Sequence, residues 1–178
     1  MSHLEVNEIA LGELLSRQEI TDCLHRLARG VDRLDRELFL SAYHRDALEW
    51  HGSFVGSPED LAAWLWTRHE QRVVAQHYLM NHSFDFAGDV AHVETYFFSP
   101  FRNRDHSDVM VVGGRYIDRF ERRESGWKIA LRVLVREWGG SFSEEPVESE
   151  SNIGLRSGSD VSYQRPLTSQ WITSMLNG

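Results

Sequence analysis

Asp32 and His77 are the residues of this chain whose types could carry acid–base chemistry unaided. Asp32 closes the segment Arg29-Gly30-Val31-Asp32-Arg33 at the end of an amphipathic helix, and His77 stands early in a strand, in Gln76-His77-Tyr78-Leu79-Met80-Asn81. A carboxylate that orients an imidazole makes a general base near neutral pH without metal or cofactor. The competing reading is structural: a helix-end acid and one strand histidine among nine. A period of two puts Asn81 on the strand face of His77 and Leu79, where its amide can orient a substrate oxygen. Tyr43, Tyr78 and Tyr96 are candidate proton donors. Arg132 lies opposite Ile129, Leu131 and Val133 on an alternating run; buried there, it needs either a structural acid or a ligand anion.

Other chemistries find no support in the spacing. His77 and His82 point to opposite strand faces, and no histidine or cysteine pair has ligand spacing, so no metal and no cofactor are expected. Gly113-Gly114 lies inside a strand pattern with no Lys-Ser/Thr after it, so it is not a phosphate loop. The lone Cys23 falls on an apolar helix stripe and reads as a buried thiol.

The elements that must position these residues can be read from periodicity. Residues 1–13 show little of it and read as a leader. From Leu14 to about Asp32, Leu15, Ile20, Cys23, Leu24, Leu27, Ala28 and Val31 recur at three- and four-residue steps, predicting a helix. A short second helix is expected over Arg36–Tyr43 and a strand over Ala47–Phe54. Ser57-Pro58-Glu59-Asp60 is a helix start with a capping serine, a first-turn proline and acids facing the positive helix end; that helix runs to about Gln71. Four long strand-like runs follow: Val74–Ala87, Ala91–Phe101, Val109–Arg122 and Trp127–Trp138. They exceed an ordinary strand of about five or six residues, so bends and bulges are expected, one at Gly113-Gly114. Helices first and sequential strands after give an α+β fold, with a curved antiparallel sheet wrapped around N-terminal helices and a pocket between them. Residues 1–140 form this domain. Residues 141–178 read as an extended tail that ends in a short docking helix around Trp171, Ile172, Met175 and Leu176.

Composition narrows the partners. The net charge is −8 and the pI about 5.6, and the arginines are interleaved with acids, as in Arg119, Glu121, Arg122, Arg123 and Glu124. Nucleic-acid binding needs a concentrated basic face, so it is not expected. No run approaches the roughly 18 apolar residues of a membrane span, and no signal-peptide pattern is present. A cytoplasmic protein is expected.

The element order, together with Val31-Asp32-Arg33, Gln76-His77-Tyr78 with Asn81, Gly113-Gly114-Arg115-Tyr116-Ile117-Asp118-Arg119-Phe120 and Gly126-Trp127-Lys128-Ile129 leading to Arg132, resembles the nuclear transport factor 2-like superfamily. More narrowly it resembles the SnoaL-like group that includes scytalone dehydratase and hexachlorocyclohexane dehydrochlorinase. The resemblance covers about residues 10–140. It implies that Asp32 holds His77 and that His77 takes a proton from carbon. It places Arg132 where the dehydrochlorinase keeps a pocket arginine, and His51 near a pocket tyrosine of the dehydratase. Leu27, Gly113 and Val31 replace a lysine, a histidine and a tyrosine of those enzymes, so neither activity transfers.

The resulting expectation is a cofactor-independent lyase or isomerase for a small cyclic or aromatic substrate, with Asp32 and His77 catalytic and Arg132, His51, Asn81, Tyr43 and Tyr96 around the substrate. A homo-oligomer, dimer or trimer, is expected. Two alternatives share the fold: a non-catalytic binding or structural subunit, such as the small subunit of a ring-hydroxylating dioxygenase, and a polyketide-type cyclase, which also begins with proton removal from carbon.

Overall fold

The structure, a computed structural model, describes residues 3–143 and 154–176. Helix α1 spans His3–Arg33, followed by α2 (Arg36–Leu40), β1 (Tyr43–His51), β2 (Phe54–Gly56), α3 (Pro58–His69), β3 (Arg72–Ala75), β4 (Tyr78–Ala87), β5 (Val90–Asn103), β6 (Asp108–Arg123) and β7 (Gly126–Ser143). A single 3-10 turn at Val161–Tyr163 and helix α4 (Ser169–Leu176) come after.

The strands form one sheet in the order β2-β1-β7-β6-β5-β3, with β4 sharing the β5 edge with β3. The sheet is mixed: β1 joins β7 in parallel and the other pairings are antiparallel. It curls into a half-barrel around the N-terminal helices, the α+β architecture that the order of elements predicts.

The core lies where α1 meets the concave face. Ile20, Cys23, Leu24, Leu27 and Val31 pack with Phe39, Leu61, Val93, Phe120, Trp127 and Ile129, all buried. Burial also pushes the Cys23 thiol up to about 11, which leaves it protonated and inert. Gly30 lets α2 cross α1 closely, since a Cβ there would lie 2.5 Å from the Phe39 nitrogen. The Ser57 cap of α3 is present, its hydroxyl accepting from the Asp60 N–H. The expected bulge is present too, as a register shift between Gly113 and Gly114. Trp138 lies over Gly113, where a Cβ would come within 2.2 Å of its ring.

Five readings differ from expectation. The single strand expected over Ala47–Phe54 is two, β1 and β2, folded back on each other at Gly52, whose φ is 64°. The segment read as a leader is helical from His3; its Leu, Glu and Ala residues are good helix formers, but Ile9, Leu11, Leu14 and Leu15 remain exposed, so no buried stripe marks them. Helix α2 ends at Leu40, and Tyr43 opens β1. The run from Val74 to Ala87 is two strands, broken at Gln76-His77. β7 continues to Ser143 through Gly139-Gly140. In the tail, α4 forms around Trp171 and Ile172, while the side chains of Met175 and Leu176 lie outside the described residues.

Candidate active site

The break between β3 and β4 determines what His77 can do. β3 and β4 both hydrogen-bond to β5, but Gln76 and His77 bow out of the ladder between them. Gln76 keeps one tie, from its N–H to the Pro100 carbonyl at 3.1 Å. The His77 N–H is thereby freed from sheet pairing and turns to the end of α1.

There it meets Asp32. The His77 N–H donates to Oδ2 of Asp32 at 3.0 Å, and His77 Nδ1 lies 2.6 Å from Oδ1. An ionised carboxylate can only accept, so Nδ1 is the donor, and in the neutral imidazole Nε2 then carries the lone pair. Among the described residues Nε2 has no hydrogen-bond partner. Both residues line a cavity of about 1140 Å³, together with Leu79, Phe98, Val109 and Phe142. The arrangement can accept a proton at Nε2 and shelter the resulting imidazolium with Asp32.

A second set of residues holds this pair in place. Arg156, from the tail, donates through Nε to the Asp32 carbonyl and through Nη2 to the Val31 carbonyl, both at 3.0 Å. These belong to the last turn of α1, whose carbonyls have no partner within the helix. Its Nη1 donates to the carbonyls of His69, at 2.5 Å, and Arg72, at 3.0 Å. One guanidinium therefore joins the end of α1 to the turn between α3 and β3. The His69 ring stacks on that of His77, with centroids 6.2 Å apart and planes 13° from parallel. Burial drives His69 far below the ordinary imidazole value, and Arg72, His77 and Arg156 push the same way. His69 is neutral, and its Nε2 accepts from Arg72 at 2.8 Å. Burial and Arg156 lower Arg72 itself to about 10. The sequence carries no periodic signal for Arg156 or His69, because their contacts are to backbone carbonyls and to a ring brought close only by the fold.

Of the other sequence candidates, Tyr78 lines the same cavity and donates its hydroxyl to Gln76 Oε1 at 2.9 Å; the rest lie elsewhere. Arg132 meets the structural acid: Nε and Nη2 pair with both oxygens of Asp118 at 2.6 Å. Glu49, Arg132 and Asp118 stand side by side on β1, β7 and β6 as register partners. All three are buried, an alternating row of charges across the concave face. Burial works against the Arg132 charge, but Asp118, Tyr43 and Glu49 outweigh it and hold its pKa well above the ordinary value. Tyr43, expected as a proton donor to substrate, gives its hydroxyl to Glu49 at 2.5 Å, and burial together with Glu49 raises its pKa far beyond that role. His51 Nδ1 sits 2.7 Å from the other Glu49 oxygen, with its ring edge-on to Trp64. Asn81 does not share a face with His77: it occupies a bulge in β4 with φ of 49° and is exposed, because the Gln76-His77 break and the bulge interrupt the alternation. Tyr96 is exposed on the β5 face opposite the buried Phe97. None of these five lines the cavity that Asp32 and His77 share. His25, Arg29 and Arg33 do, one α-helical turn apart along α1. No group of three or more potential metal ligands comes together among the described residues, and no described helix is long and apolar enough to cross a membrane.

Comparison with known proteins agrees with this architecture. The sequence model of the SnoaL-like domain matches residues 12–133. No curated protein matches the chain by sequence. Among solved structures, a type 2 hexachlorocyclohexane dehydrochlorinase (LinA) superposes with a TM-score of 0.69 at 21% identity, covering 80% of this chain and 99% of that one. A LinA-type3 dehydrochlorinase from Novosphingobium barchaimii gives 0.68 at 20% identity, over 78% and 99%. A candidate scytalone dehydratase from Novosphingobium aromaticivorans gives 0.67 at 15% identity, over 77% and 96%. At such identities the likeness is one of fold.

Proposed function

The chain belongs to the SnoaL-like domain family, and from that premise we propose that it is a cofactor-independent enzyme that removes a proton from carbon in a small cyclic or aromatic substrate. His77 Nε2 is the base. Asp32 fixes the ring and its tautomer and offsets the positive charge that forms. Loss of a leaving group, or return of the proton at another carbon, completes an elimination or an isomerisation. The observation that carries this reading is the double contact of Asp32 with His77 in the wall of a largely apolar cavity. Apolar walls exclude water and strengthen the interaction between the carboxylate and the imidazolium.

The same observation weighs against a purely structural subunit, which needs no oriented base beside a cavity. A polyketide-type cyclase on this scaffold would begin with the same proton removal and complete it by aldol closure. The exposed Tyr96 and Trp138, outside the cavity, fit a homo-oligomeric contact along the sheet.

The test is a panel of cyclic ketones, alcohols and halides incubated with the protein in D2O and followed by NMR. Deuterium incorporation or elimination with one class, abolished in a folded His77→Ala variant, supports the proposal. Full activity in that variant would falsify it.

A further inference from the structure

Two arginines line the cavity wall, and among the described residues only Arg33 has an acidic partner, Asp160 at 3.5 Å. Arg29 and Arg33 stand one turn apart on α1, and both line the cavity with His77. Like charges at this spacing oppose each other and weaken a helix, in a chain whose net charge is −8. The acids nearby are already engaged. Asp32 holds His77 through both oxygens. Asp35 accepts from the Leu38 N–H and the Tyr163 hydroxyl. Asp160 accepts from the N–H groups of Leu155 and Ser162 and from the Ser162 hydroxyl.

Arg29 therefore has no carboxylate partner among the described residues. Its Nη2 reaches the Ser162 hydroxyl at 3.2 Å, and the Tyr163 ring covers its guanidinium at 4.7 Å. Arg33 comes no nearer to an acid than 3.5 Å, from Nε to Asp160, and that buried nitrogen makes no hydrogen bond. Arg29 and Arg33 are both half-buried, and a cation partly withdrawn from water is stabilised by an anion beside it. Leu79, Phe98, Val109 and Phe142 line the same cavity and suit a flat apolar body.

Building on the proton-abstraction reading of this site, we infer that its substrate is an organic acid: a cyclic or aromatic body with a carboxylate received by Arg29 and Arg33. Guanidinium groups suit this role because their planar fork matches a carboxylate. The carboxylate is a handle. It anchors one end of the molecule on α1 and presents a carbon at the other end to His77.

The test is equilibrium binding by calorimetry of 2-naphthoate and its neutral counterpart 2-naphthamide. The wild-type protein should bind the acid at least about tenfold more tightly, and added salt should weaken the acid while leaving the amide unchanged. The double variant Arg29→Gln, Arg33→Gln should lose the preference and retain the amide affinity, which also reports that the cavity is folded. Should that variant not fold, the salt dependence of the wild-type protein decides. Equal affinity for the two probes, no binding of the acid at millimolar concentration, acid binding insensitive to salt, or a preference that survives in the double variant overturns the inference. The readout is independent of turnover. An acid preference without turnover of any substrate would sink the proton-abstraction reading and keep this one; His77-dependent turnover without acid preference would do the reverse.

Discussion

One carboxylate holds His77 at two points: Oδ1 of Asp32 lies 2.6 Å from the ring Nδ1, and Oδ2 accepts the backbone N–H of the same residue at 3.0 Å. The first contact sets the tautomer and the second sets the position of the ring relative to α1. An asparagine at position 32 can satisfy only one of them as an acceptor, because its amide nitrogen donates. Asp32→Asn and His77→Ala should each lower kcat/KM by about 10²–10⁴, the usual worth of a positioned acid–base group. The check is turnover of whichever substrate the exchange screen yields, with circular dichroism to show that both variants fold.

Arg156 satisfies four backbone carbonyls on two elements. Arg156→Ala removes these donors, leaving Val31 only its 3.3 Å bond from the Leu34 N–H, and should cost about 2–3 kcal/mol of stability, measured by urea unfolding. It should also release the end of α1 that carries Asp32, so that any His77-dependent turnover falls further than the loss of folded protein explains. A variant as stable and active as wild type would show that the tail contributes nothing to the site.

The Arg132–Asp118 pair is buried on both sides, with side chains 1% and 0% exposed. Removing one partner leaves an uncompensated charge, so Arg132→Met and Asp118→Leu should each cost about 3–5 kcal/mol, while the double variant recovers much of that loss. Thermal denaturation of the three proteins tests this. Arg132→Met with unchanged stability and impaired ligand binding would return Arg132 to the substrate-contacting role that its sequence position suggested.

Folding keeps His69 neutral, so its proton binds only in the unfolded chain. The stability linked to it is complete above the ordinary imidazole value, near pH 6.5. It declines as the pH falls below that, by up to about 1.4 kcal/mol per pH unit. His82, lowered by burial and by His25, acts in the same direction. Urea midpoints measured between neutral and mildly acidic pH should show this slope, and His69→Gln should flatten it without abolishing the part owed to His82.

Gly114 packs against the neighbouring strand, and a Cβ there would lie 2.1 Å from the Val135 carbonyl oxygen. Gly114→Ala should cost about 1–3 kcal/mol or more through displacement of β7. Gly140→Ala, with nothing within 4 Å of its added Cβ, serves as the control and should change the melting temperature little.

What could be read from the sequence was what leaves a repeating or local mark. The stripe from Ile20 to Val31 marks α1 because those side chains are buried at helical spacing. Ser57-Pro58 marks α3 because capping chemistry is local. Gly113-Gly114 marks a bulge because two glycines inside a strand pattern need a reason. Asp32 and His77 stood out through the family resemblance rather than through spacing. The helix before Leu14 left no mark because Ile9 and Leu11 stay exposed. The break at Gln76-His77 has neither proline nor glycine, and the His77 N–H that leaves the ladder there is taken up by a carboxylate from another element. The partner of Arg132 was open between an acid and a ligand because cross-strand register, which puts Asp118 beside it, is a property of the assembled sheet. Arg156 was invisible because any backbone offers carbonyls, so nothing in its neighbours' side chains announces the contact.

The Arg156 clamp also gives the site a birth order. On a ribosome Asp32 and His77 emerge first, and the residue that joins their supporting elements is made 124 positions after Asp32. A growing chain therefore holds the acid and the base long before it holds the brace that seats them. A product cut short before residue 154 would carry the whole reactive pair on an unbraced α1, so the completeness of the site reports on the completeness of synthesis.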